Sequence, residues 1–188
     1  VAMAFLFLAR PSALRDGAGH PGLWLLAAAA GLTNVGFNWA VTVGDVVRVV
    51  LLFYLMPAWS VLLAWPLLGE RPTARGFARL VLALAGVVVV LDTGAAGWPV
   101  PRSVPDWLAL MAGFCFALTN ILLRRLHAVP ESSRVLAMFS GGALMAAATA
   151  SVGLAQGVMA APSLPWSGIP LALLLALAFL GGNVALQY

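Results

Sequence analysis

The side chains able to do chemistry inside the apolar stretches of this chain are mostly neutral amides and aromatics. Asn34, Asn38 and Thr42 recur at i, i+4 and i+8 in a segment otherwise built mainly from Leu, Ala, Val and Phe. On a helix that spacing draws one polar stripe. Each Asn offers N–H donors and a carbonyl acceptor, so the stripe could hold the ammonium and carboxylate of a zwitterion without imposing charge. The competing reading is helix–helix glue through hydrogen bonds. Asn183, Gln187 and Tyr188 repeat the pattern. Asn34-Val35-Gly36-Phe37-Asn38-Trp39 reads against Asn183-Val184-Ala185-Leu186-Gln187-Tyr188 at a constant offset.

Asn120, beside Thr119, is a lone amide in another apolar run, open to the same two readings. Trp39, Tyr54 and Trp59 either pack or stack on a flat or cationic group. Arg48 is either a snorkelling interface residue with Asp45 as its i, i+3 partner or an anion contact at the outer mouth. Pro57 removes a backbone hydrogen bond, so a helix kink beside a cavity is expected there. Glu70 reads as an interface residue in a short turn. Cys115 reads as a small packing residue.

No carboxylate falls in the middle of an apolar run, so no intramembrane proton carrier is visible. Metal-ligand spacing, HExxH, GxSxG, a P-loop and GxGxxG after a strand are all missing from the sequence. The sequence therefore predicts no catalytic residue, no metal and no cofactor.

The elements that carry these residues follow from composition. Of 188 residues 63% are hydrophobic and 9% charged, against about 25% charged in an ordinary soluble domain. A soluble enzyme domain, a disordered chain and a nucleic-acid module are excluded. A polytopic helical membrane protein remains. Apolar runs and breakers predict a half span at Val1–Ala9, then spans at Leu23–Val43, Val46–Leu68, Gly76–Leu91, Trp107–Leu123, Val135–Ala155 and from Ile169 onward. The runs do not alternate, which excludes a membrane β-barrel. Both ends read as those of a fragment.

All ten basic residues are Arg. Arg10, Arg15, Arg71, Arg75, Arg79, Arg124, Arg125 and Arg134 flank alternate loops on one side, leaving Arg48 and Arg102 for the other. The positive-inside rule makes the first side cytoplasmic. The segment at Asn34 then runs outward and the one at Asn183 inward, the relation of an inverted repeat.

Leu51-Leu52-Phe53-Tyr54-Leu55-Met56-Pro57 followed by Leu67-Leu68-Gly69-Glu70-Arg71-Pro72, then Gly76 and Gly86-Val87, resembles the EamA-type transporters of the drug/metabolite transporter superfamily. Asp106-Trp107, Gly113, Ala117 and Leu123-Arg124-Arg125 resemble the first helix of that family's second repeat. The resemblance implies two inverted five-helix units around a central cavity. It assigns residues 1–93 to the end of helix 2 and helices 3–5, 94–105 to a periplasmic linker, and 106–188 to helices 6, 7 and most of 8. It also implies an exporter of small metabolites such as amino acids in a cell inner membrane, with lipid and solute as partners and no nucleic acid. A membrane enzyme on lipid-linked substrates would need clustered acids or His at one interface, and none is found. A non-transporting structural protein would consume the Asn stripe in interhelical bonds.

Overall fold

The computed structural model describes residues 20–71, 73–91 and 101–157, with further helical residues at 168–171, 173–175 and 177–178. Val1–Ala9, Asn183, Gln187 and Tyr188 lie outside the described residues.

Six helices make up the described bundle: α1 Pro21–Val43, α2 Val46–Phe53, α3 Met56–Leu68, α4 Ala74–Leu91, α5 Val104–Arg125 and α6 Glu131–Ala155. No strand occurs among the described residues. α1, α2 with α3, α5 and α6 are each long and apolar enough to cross a membrane. The protein is an all-α, multi-pass membrane bundle.

Local chemistry sets the helix ends. Pro21 opens α1, where its missing N–H costs nothing. The Asp45 carboxylate accepts the Arg48 backbone N–H at 2.8 Å and caps α2. Ser103 caps α5 by accepting from Asp106 N at 3.4 Å. Gly69 closes α3 at φ 71°, a left-handed conformation that suits glycine.

The expected span Val46–Leu68 has those bounds, and within it the helix is broken at Tyr54-Leu55, just before the kink expected at Pro57. Pro57 lies in the first turn of α3 and has no N–H for the Phe53 carbonyl, its partner four residues back. That carbonyl is directed at α5 instead: a Cβ added to Gly113 would lie 2.8 Å from the Phe53 oxygen. A glycine is what lets α2 end against the α5 backbone.

α1 packs between α5 and α6, and α2 and α3 lie along α5. Gly22 meets Leu126, Gly36 meets Ala112 and Gly44 meets Pro105, so α1 and α5 are antiparallel. α1 and α6 run the same way and touch backbone to backbone. A Cβ on Gly31 would lie 2.6 Å from the Gly141 carbonyl oxygen, and one on Gly141 would strike the Ala27 carbonyl. Between lipid-facing helices there is little hydrophobic drive, and close packing of small residues holds the bundle. Apolar clusters close both ends of the α1–α5 contact. Ala40, Val49, Leu52 and Ala109 form one, and Leu23, Leu26, Leu122 and Val129 the other.

Candidate functional site

Asn34, Asn38 and Thr42 all lie exposed on α1, as an i, i+4, i+8 spacing requires. Past the tight crossing at Gly31 and Gly141, α1 and α6 leave a groove of about 400 Å³. These three side chains line it with Trp39, and Ala146, Thr149 and Ala150 of α6 form the opposite wall. No charged side chain lines this groove among the described residues.

The polar stripe hydrogen-bonds along its own helix. Asn38 Nδ2 donates to the Asn34 carbonyl oxygen at 2.7 Å and to Asn34 Oδ1 at 3.4 Å. Thr42 Oγ1 donates to the Asn38 carbonyl at 2.7 Å. Across the groove, Thr149 Oγ1 donates to the Met145 carbonyl at 2.8 Å. Among the described residues, none of the three α1 side chains bonds to another helix. Thr149 was not singled out by sequence reasoning. Its neighbours at i−4 and i+4 are apolar, so it forms no stripe and gives no periodic signal.

The remaining candidates lie elsewhere. Asn120 is exposed on α5, one heptad on from Gly113 and two from Asp106. That spacing puts it on the stripe facing α2 and α3, away from the groove. Tyr54 is exposed at the helix break, its ring 6.4 Å from that of Phe53. Trp59 packs edge-on against Phe114 with centroids 5.6 Å apart. Its buried indole N–H has no partner among the described residues. Cys115 is buried in the α5 packing.

Arg48 has a different ionic partner from the nearby Asp45. Asp45 is occupied with the α2 cap, and the Arg48 guanidinium crosses to α5. Its Nε donates to Asp106 Oδ1 at 3.1 Å and Oδ2 at 3.0 Å. The Asp106 side chain is 3% exposed and also accepts from the Arg102 backbone N–H at 2.9 Å. The signal for Asp106 is Ser103-Val104-Pro105-Asp106, a capping-box start before an apolar run. At the other end of the same helices, Glu70 pairs with Arg124 in the open. Glu70 thus sits in a short turn, as expected. No group of three or more His, Cys, Asp or Glu that could hold a metal ion occurs among the described residues.

Residues 1–92 match the EamA-like transporter family model. In searches of curated proteins and of solved structures, nothing matches.

Proposed function

We propose that this protein, EamA-like over residues 1–92, is a secondary transporter that exports small metabolites such as amino acids, with the α1–α6 groove forming part of the solute path. The family match supports a membrane transporter of the drug/metabolite superfamily. One observation carries the path: a polar stripe in an apolar helix that binds no other described helix and opens on a groove. Lipid offers these groups no hydrogen bonds, whereas a water-filled path does. In the full carrier, Asn183, Gln187 and Tyr188 supply the matching stripe from the second inverted unit, residues 106–188. Trp39 is the aromatic wall, and Pro57 breaks the helix beside Tyr54 and Trp59. Asn120 lies on the α5 face toward α2 and α3 and is not part of this groove. Arg48 lies at the outer mouth, where Asp106 already supplies its anion. The Arg-rich loops are cytoplasmic and the membrane is a cell inner membrane. Family members are transporters, not enzymes.

The test is transport by expression-matched Asn34→Ala and Asn38→Ala. Losing a hydrogen bond of about 0.5–1.5 kcal/mol should weaken transport several-fold while insertion is retained. Wild-type rate and affinity in both variants would return the stripe to a packing role.

A further inference from the structure

Four arginines gather at one corner of the bundle. Glu70 of the α3–α4 turn pairs with Arg124 at the end of α5, and that contact brings two basic stretches together. Arg71 follows Glu70 directly, Arg75 lies in the first turn of α4, and Arg125 follows Arg124. All four are exposed. Arg71, Arg75 and Arg125 make no ion pair among the described residues, so their charges stand uncompensated there. Helix stability does not call for them. A cation in a first turn lies at the unfavourable end of the helix dipole, and α4 has no acid there to offset Arg75. Beneath this charged layer the same helices expose large apolar side chains. Trp65, about 6 Å along α3 from the turn at Gly69, is 61% exposed, and Phe77 of α4 is 58% exposed. Leu62, one turn deeper on the Trp65 face, is also exposed. A free phosphate or an acidic peptide would use the charge and leave this apolar face bare. A lipid with an anionic headgroup uses both. Its phosphate oxygens accept from the guanidinium N–H groups, and its acyl chains cover the side chains below.

We infer that the corner formed by the α3–α4 turn and the end of α5 binds an anionic phospholipid, its phosphate held by Arg71, Arg75 and Arg125 and its acyl chains lying along Leu62, Trp65 and Phe77. The lipid belongs to the leaflet on the Arg-rich side. The site is separate from the α1–α6 groove and does not depend on the solute path. The positive-inside rule asks only that these charges stay on one side of the membrane. A lipid site also requires them to discriminate between headgroups.

The experiment offers the full-length protein in detergent equal amounts of a phosphatidylglycerol and a phosphatidylcholine with identical acyl chains. Native mass spectrometry counts the lipid that stays bound. Each arginine near an anionic lipid surface is worth about 5-fold in binding, so phosphatidylglycerol should lead by about 10-fold or more. Arg71→Gln with Arg75→Gln and Arg125→Gln should bring the ratio close to one. The same three positions changed to Lys keep the charge and should keep most of the preference, which separates lost charge from lost fold. Leu62→Ala with Trp65→Ala should weaken both lipids and leave their ratio unchanged. An excess of inorganic phosphate should not displace the lipid. Equal binding of the two lipids by the wild type, an undiminished preference in the triple Gln variant, or displacement of the lipid by inorganic phosphate would each overturn the inference.

Discussion

Arg48 and Asp106, 58 residues apart in sequence, meet with the Arg48 Nε about equidistant from both carboxylate oxygens, at 3.1 and 3.0 Å. The pair ties the start of α2 to the start of α5, and Glu70 with Arg124 ties the ends of α3 and α5. The α2–α3 segment and α5 therefore run in the same direction, with one ion pair at each end. The first pair is nearly buried and the second is open to solvent, so they should differ in worth.

Arg48→Ala would leave the buried Asp106 carboxylate with the Arg102 backbone N–H but without its guanidinium, a loss toward the low end of about 3–5 kcal/mol. The thermal midpoint of the detergent-solubilised protein should fall sharply. Replacing both partners, as Arg48→Met with Asp106→Leu, should recover much of the loss. Arg124→Gln breaks an exposed pair worth about 0–1 kcal/mol and should barely move the midpoint. Equal effects from Arg48→Ala and Arg124→Gln would contradict this ranking.

Gly141 and Gly142 are adjacent on α6 and should respond oppositely to the same change. A methyl on Gly141 would run into the Ala27 carbonyl, whereas nothing lies within 4 Å of one on Gly142. Gly142→Ala should stabilise by about 0.5–1 kcal/mol, the helix-interior cost of glycine. Gly141→Ala should force α1 and α6 apart and lower the melting midpoint. Paired melting curves in one detergent decide the matter.

The break at Tyr54-Leu55 depends on two residues. Pro57→Ala restores the N–H that Phe53 lacks and should let α2 and α3 run on as one helix. Gly113→Ala would set a methyl 2.8 Å from the Phe53 oxygen and should destabilise by displacing α2. A helix straightened by Pro57→Ala should retain or raise stability yet transport more slowly. Wild-type transport would show that the break has no part in the path.

Much of this was legible in the sequence where one helix decides the answer. The Asn34, Asn38, Thr42 stripe needs only a helical period, and the bundle class follows from composition. Hydropathy placed helix starts late: α5 begins at Val104 and α6 at Glu131, ahead of the apolar runs from Trp107 and Val135. A polar first turn is helical without being apolar. Asp106 as the partner of Arg48, and Thr149 as the wall opposite Thr42, were not legible. Each depends on which helices are neighbours, and no local period encodes that.

Sidedness rests on the Arg distribution. With Cys115→Ser as background, cysteine at position 75 should react with an impermeant thiol reagent only after permeabilisation, and cysteine at position 104 in intact cells. Labelling of position 75 from outside would reverse the orientation.

The central claim is that the α1 stripe faces water within the membrane rather than lipid or another helix. The direct measurement is thiol reactivity along α1 on the Cys115→Ser background, using a charged methanethiosulfonate. A thiol reacts as thiolate and needs a polar environment to ionise. Asn34→Cys, Asn38→Cys and Thr42→Cys should all react, with Asn38→Cys slowed by the transported solute, while Ala29→Cys, buried in the packing, stays silent. If the three stripe positions resist the charged reagent yet take up a lipid-soluble maleimide, the stripe faces the bilayer and the α1–α6 groove is no solute path.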